Sequence, residues 1–392
     1  MIKLIKSTFY NEADTKKELV DFILKNEQLS FGAECMKFEK NFAAWQGRRD
    51  AVFVNSGSSA NLALVQALLN FGRLKPGDAV GFSALTWSTN IMPLVQLGLV
   101  PVSIDVTLET LNVSSATLAA AVDTTPIKAL FLTNLLGFCD DMDGIRRLCR
   151  ERGILLLEDN CEGLGTVYRG TKLGNFGLAA TFSFFVGHHL STIEGGAIAT
   201  DDLELATMLR IVRAHGWDRN LAQEERDGIR RIYRVDPFYA KYTFYDLAFN
   251  IRPMEIQAFL GNSELRHADE IVKKRDENFK RFAAAIYSQT GRYLPIRFDH
   301  LDLVSNFAVP VVCASASIRD KLVTRCEGRI ETRPIVGGDM TRQPFFVKYL
   351  PIVPRATGMT NAALVHQNGL YFGNNPQLTE DEIEQMIALF SS

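Results

Sequence analysis

Between residues 50 and 200 short apolar runs alternate with stretches of helical period. Val52-Phe-Val54, Ala79-Val-Gly-Phe82, Val100-Pro-Val-Ser-Ile-Asp105, Ala129-Leu-Phe-Leu-Thr133, Ile154-Leu-Leu-Leu157, Ala180-Thr-Phe-Ser-Phe184 and Gly196-Ala-Ile-Ala199 read as strands. Strands alternating with helices predict an α/β architecture with a mainly parallel sheet, in which ligands sit at the carboxyl ends of the strands. Upstream, the period over residues 11–26 predicts a helix with Leu19, Phe22, Ile23 and Leu24 on its apolar side, and a second short helix passes through Phe38 and Phe42. Asn55-Ser-Gly-Ser-Ser-Ala-Asn61 opens a helix whose apolar positions include Leu62, Leu64, Val65, Ala67 and Leu68.

From His215 to Asn250 the pattern lapses into Trp217, Arg219, a charged stretch and the aromatic-rich Phe238-Tyr-Ala-Lys-Tyr-Thr-Phe-Tyr245. The expectation is a structureless insertion, either a functional segment or a surface excursion that buttresses a dimer. Pro253 then suits the first turn of a helix reaching about Leu265, and another helix runs through Phe282. Phe307-Ala-Val-Pro-Val-Val312 and Ile330-Glu-Thr-Arg333 read as strands of a small α+β module, and Thr379-Glu-Asp-Glu382 as the capping box of a final helix. The predicted division is a large domain over residues 1–265 and a small C-terminal domain over 266–392.

With 392 residues, 47% of them hydrophobic, the chain can bury a large core. A net charge of -2 provides no basic field for nucleic acid, and the run from Arg226 to Arg234 reads as a solvated face. Cys35, Cys139, Cys149, Cys161, Cys313 and Cys326 are scattered without CxxC spacing, which argues against zinc, a disulfide framework or an iron–sulfur cluster and fits a reducing cytoplasm. Met1-Ile-Lys-Leu-Ile-Lys-Ser7 is too short in apolar length for a signal peptide. Residues 79–104 carry no charge, but polar residues and prolines interrupt them, so no membrane span is expected.

Candidate chemistry gathers at strand ends. The apolar strand ending near Phe185 breaks into a turn carrying His188 and His189 and resumes after Glu194-Gly195-Gly196, while Leu155-Leu-Leu157 delivers Glu158, Asp159 and Glu162. Gly57 and Ser58 open a helix, whose free amides and positive dipole make an anion site, although an ordinary N-cap explains the same residues. Read singly, Asp159 is a turn residue, Glu162 a helix-start acid, Trp87 a core aromatic and His188 a structural histidine.

Taken together with Ala84-Leu-Thr-Trp-Ser-Thr89, these stretches resemble the sugar aminotransferases of the DegT/DnrJ/EryC1/StrS family, pyridoxal-phosphate enzymes of the aspartate aminotransferase fold (fold type I), over nearly the whole chain. At the position of His188 that family normally carries the lysine that holds the cofactor covalently. The departure resembles a small branch of 3-dehydratases acting on nucleotide-linked 4-keto-6-deoxy sugars in bacterial surface-polysaccharide synthesis. The resemblance implies pyridoxamine phosphate held non-covalently, with His188 as base and then acid at the sugar's C-3 and L-glutamate regenerating the amine form. It places Asp159 against the pyridine nitrogen, Trp87 on the ring, Gly57, Ser58 and Ser183 at the phosphate, and Glu162 beside the ring hydroxyl or the sugar. Asn250 would reach the neighbouring subunit's cofactor phosphate, giving a homodimer with a shared site. His215, Arg219 and Arg333 are candidates for gripping the substrate carboxylate or sugar phosphates. GDP as the nucleotide rests on resemblance alone, and CDP, dTDP and a reductase partner stay open. The alternatives are a sugar aminotransferase using another amine, Lys172 or Lys241, and a non-catalytic cofactor-binding relative.

Overall fold

Seven strands form the central sheet of the computed structural model, which describes residues 1–350 and 360–391. They are β1 (Asp50–Val54), β2 (Ala79–Ser83), β3 (Val100–Ile104), β4 (Ala129–Thr133), β5 (Leu155–Asp159), β6 (Ala179–Ser183) and β7 (Gly196–Thr200), in the order β1-β7-β6-β5-β4-β2-β3. Neighbours from β6 to β3 run parallel, whereas β7 is antiparallel to both β6 and β1. Nearly every strand position is buried because both faces of the sheet are covered, which is why the strands appear in sequence as unbroken apolar runs. One face packs Leu64, Leu68, Leu205 and Leu209, and the opposite face packs Phe38, Phe42 and Ala258.

Register brings the site together. Asp159 at the end of β5 stands beside Thr181 of β6, Ser183 ends β6 opposite Gly196, and Val54 ends β1 opposite the same Gly196. The helix α1 (Gly57–Asn70) therefore starts directly over the ends of β5 and β6. Gly196 has no room for a side chain there, since a Cβ would run into the Ser56 carbonyl.

The C-terminal module carries an antiparallel sheet in the order β8-β9-β11-β10, made of β8 (Tyr293–Leu294), β9 (Ala308–Cys313), β10 (Thr332–Pro334) and β11 (Gly369–Gly373). The helix α2 (Ala268–Ile286) leads into it, and Thr379 and Glu382 exchange side-chain-to-amide hydrogen bonds of 2.8 and 3.3 Å at the start of the final helix, as its capping-box sequence predicts. Ile2 bridges Ile330 and the Leu4 amide donates to Glu331 at 3.0 Å, so the first residues lie against this module although they precede the large one.

Two expectations need correction. The helix at Glu12–Lys25 forms, yet Thr15 is its only buried residue and Leu24 is 79% exposed, because the helix touches the body through Phe22, stacked 4.5 Å from Phe259. The stretch from 215 to 250 is not structureless. It holds a helix at Gln223–Ile232, whose Glu225 accepts from the Ala222 amide at 2.9 Å, and a short turn at Tyr239–Tyr242. That helix buries none of its residues, and Ile229 and Ile232 give it only a short apolar stripe by which to be recognised in sequence.

Candidate active site

A cavity of about 350 Å3 opens over the ends of β5 and β6 and the start of α1. Asp159 is buried at its floor, where Oδ2 accepts from Asn61 Nδ2 (3.0 Å) and Asn90 Nδ2 (2.8 Å) and Oδ1 from the Cys161 amide (2.9 Å). These three neutral donors fix the carboxylate and leave its charge uncancelled. Ser56 is the N-cap of α1, accepting from the Ser59 amide at 3.0 Å, so the preceding residues of the turn leave Gly57 and Ser58 facing the cavity. Gly57 packs so closely on β6 that an added Cβ would lie 2.7 Å from Ser183 Cβ and 3.1 Å from Cys161 Sγ. Only glycine leaves this helix terminus open to an anion.

Trp87 follows β2 and lines the cavity with its indole 52% exposed, an unusual state for a tryptophan and one that offers a flat face. Glu162 is buried in the wall and accepts from the Leu136 amide at 2.8 Å; burial, with a smaller contribution from Asp159, pushes its carboxyl up to about 8 against that amide. Arg333 stands on β10 beside Tyr371 of β11, ion-paired with Glu331 at 2.7 Å, and both Arg333 and Tyr371 line the cavity.

His188 lines the same cavity, its ring 5.0 Å from Phe307 and 5.7 Å from Phe185. Its Nδ1 is buried without a hydrogen-bond partner. Burial, then the charge of Arg275, pushes the imidazole down to about 4, and a hydrogen bond with the Ser183 main chain opposes them in part. The ring is thus neutral at pH 7 and able to take a proton. His189 turns away from the cavity and meets the Ser305 carbonyl at 3.2 Å.

The structure gathers His188, Gly57, Ser58, Trp87, Asp159, Glu162, Ser183 and Arg333 around one cavity. It places His215, Arg219 and Asn250 elsewhere in the same chain. The His215 ring lies edge-on to Trp217 at 4.7 Å, Arg219 sits over Trp217 (4.0 Å) and Tyr242 (4.9 Å) and donates to the Lys241 carbonyl, and exposed Asn250 accepts from Arg252 at 3.0 Å. Sequence reasoning missed Phe307 and Tyr371, which come from the C-terminal sheet and carry no local sign of a site. No lysine lines the cavity among the described residues. Lys172 packs over Trp45 at 3.7 Å and bonds its carbonyl, while Lys241 is exposed.

The residues fit a pyridoxal-type cofactor by the chemistry of their donors. A fixed carboxylate suits a pyridinium nitrogen, a crowded glycine at a helix start suits a phosphate, and an exposed indole suits the ring between them. The chain belongs to the DegT/DnrJ/EryC1/StrS aminotransferase family, whose model matches residues 11–391. It is 33% identical over 377 residues to GDP-4-keto-6-deoxy-D-mannose 3-dehydratase of Escherichia coli O55:H7, covering 95% of this chain and 96% of that one. It is 33% identical over 390 residues to dTDP-4-dehydro-2,6-dideoxy-D-glucose 3-dehydratase of Saccharopolyspora spinosa, covering 96% and 83%. A solved GDP-4-keto-6-deoxymannose 3-dehydratase with a trapped PLP-glutamate geminal diamine superposes with a TM-score of 0.89 at 31% identity, covering 100% of both chains.

Proposed function

We propose that this chain is a pyridoxamine-phosphate-dependent 3-dehydratase that removes the C-3 hydroxyl of a nucleotide-linked 4-keto-6-deoxyhexose. The observation that carries the reading is a cofactor cradle complete in its carboxylate, helix terminus and aromatic face, yet presenting a histidine and no lysine to the reacting space. Bound as its amine form, the cofactor supplies a nitrogen for the sugar ketone and a ring that accepts electrons.

This chain's residues do the rest. Asp159 holds a proton on the ring nitrogen, the Gly57 amide with Ser58 and Ser183 receives the phosphate, and the Trp87 indole covers the ring. Neutral His188 takes a proton at an imidazole nitrogen and returns it to the departing C-3 oxygen, serving as base and then acid. Glu162, protonated at neutral pH, donates a hydrogen bond towards the ring hydroxyl or the sugar. Phe185 and Phe307 flank the imidazole and exclude water from it. Arg333, at the mouth with an exposed guanidinium, suits an anionic group of glutamate or of the sugar diphosphate.

L-Glutamate is the amino donor in this reading, and GDP is the nucleotide carried by the first relative described above. The protein works as a homodimer, with Asn250, His215 and Arg219 serving the partner's cavity. Support comes from their placement away from their own cavity and from the exposed aromatic residues around them. The large domain spans residues 1–265 and the small one 266–392, with the N-terminal segment laid on the latter. Six free cysteines, five of them buried, fit a cytoplasmic protein; no helix among the described residues is long and apolar enough to cross a membrane.

The test is the glutamate half-reaction. Protein loaded with pyridoxal phosphate and given L-glutamate should form 2-oxoglutarate and the amine form of the cofactor, and borohydride should fix no cofactor to the chain. A borohydride-stable adduct on Lys172, Lys241 or any other lysine would instead make the chain an aminotransferase of the ordinary kind.

A further inference from the structure

Behind the turn that carries His188 lies a second, small space of about 30 Å3, room for about one water, lined by His188, His189, Ser191, Tyr10, Glu264 and Arg275. Arg275 reaches it from α2 and is almost wholly buried. Its Nη2 donates to the His188 carbonyl at 2.8 Å and its Nη1 to the Asn374 carbonyl, while Asn374 returns a bond to the Arg275 carbonyl at 2.8 Å and another to Asn306 at 2.7 Å. The main chain of the catalytic turn is thereby fastened to the ends of β9 and β11. No carboxylate lies within ion-pair distance of Arg275 among the described residues; the carboxyl that acts on its charge is Glu264, in the wall of the same space. A hydrophobic side chain would fill this volume without the desolvation cost of a buried cation. The retained charge therefore needs a reason.

We propose that Arg275 is a positioning residue for His188: it fixes the catalytic turn from behind, and its buried positive charge disfavours a second positive charge on the imidazole, keeping the ring a base. The proposal rests on His188 being the base of the reaction. Burial lowers Arg275 only to about 9, so it is charged at neutral pH, and it is the largest influence on His188 after burial itself. Other charged or titratable groups surround His188. His189 is on its own turn and is kept neutral by burial, Glu264 faces it from the helix at Glu255–Leu265, and Asp159, Glu162, Glu194, Arg333, Tyr371 and Cys161 line the cavity side. Burial pushes Glu264 up to about 7, so below pH 6 it is neutral and leaves Arg275 as the cation behind the ring.

The test reads the protonation of His188 directly, through the pH dependence of its carbethoxylation in cofactor-free full-length protein, resolved from His189 by tandem mass spectrometry. In R275M the midpoint should rise by about one pH unit, whereas R275K, which keeps the charge and loses the paired donors, should leave it in place and lower kcat with little change in KM. Because R275M alone can misfold, R275M/E264Q is measured beside it; glutamine copies the neutral state of Glu264 across the acidic range, so the double variant should show the same rise. A wild-type midpoint in both methionine variants would overturn the proposal. The titration does not depend on turnover, so a chain that fails to dehydrate any sugar leaves this result readable.

Discussion

At the scale of single residues, the account turns on His188. An imidazole cannot hold the cofactor as a lysine does, but it can move a proton, and burial beside Arg275 keeps it neutral at the pH where it must accept one. His188→Asn should retain pyridoxal-phosphate binding, seen by absorbance titration, and lose dehydration by about 100-fold to 10,000-fold, the usual share of a general acid–base. Glu162 makes a second prediction. Its carboxyl is at about 8 in the folded chain against an ordinary value of 4.5, so the folded state binds that proton more tightly; the resulting stability is complete at low pH and is lost as pH rises through 8. In cofactor-free protein, Glu162→Gln should match wild type in urea unfolding at pH 4 and exceed it at pH 9, by roughly 3–5 kcal/mol. Equal stabilities at both pH values would show that the carboxyl is not strained. His188, Asp159 and Glu162 were legible as polar groups at strand ends, but their roles were readable only through the family resemblance, since each taken singly has an ordinary structural explanation. Phe307, Tyr371 and Arg275 were not legible, because they reach His188 from 87 or more residues away and nothing local marks them.

At the scale of elements, the proposed phosphate site is the junction of β1 and α1. Ser56 caps the helix, Gly57 follows it pressed against Ser183, and the free amides beyond them meet the cavity. Gly57→Ala should fold, since the position is helical and needs no positive φ, yet weaken pyridoxal-phosphate binding at least tenfold by equilibrium dialysis, because its Cβ must displace Ser183 or Cys161. Unchanged affinity would place the phosphate elsewhere. All seven strands of the sheet were legible to within a residue or two, since burial on both faces leaves continuous apolar runs. The reversal of β7 was not read, because period and composition carry no strand direction. The helix at Gln223–Ile232 was missed for the opposite reason: charged residues dominate it, its apolar positions are Ile229 and Ile232 alone, and it buries nothing in one chain. Similarly, Leu24 and Ile23 were placed on the apolar side of their helix by periodicity but are exposed in the single chain.

At the scale of the whole molecule, those exposed residues suggest what is missing from one chain. Ile232, Tyr233, Phe238, Tyr239, Tyr242, Phe244 and Leu247 are all exposed within one excursion, with Phe238 at 83%, and clustered exposed apolar residues are characteristic of contact surfaces. If it is the dimer contact, Phe238→Asp with Tyr242→Asp should convert a dimer to monomer in sedimentation velocity and abolish turnover, leaving the fold intact by circular dichroism; a wild-type that sediments as a monomer would remove the shared-site reading. The large sheet and the C-terminal sheet together bring Asp159, His188 and the aromatic wall of Phe185, Phe307 and Tyr371 to one cavity. The measurement that tests this most directly is mass spectrometry of the sugar formed when wild-type protein is given pyridoxal phosphate, L-glutamate and a nucleotide-linked 4-keto-6-deoxyhexose. A product that has lost the C-3 oxygen, with ammonia and 2-oxoglutarate released in equal amounts, is the predicted result. A 4-amino sugar that keeps its C-3 hydroxyl would contradict it.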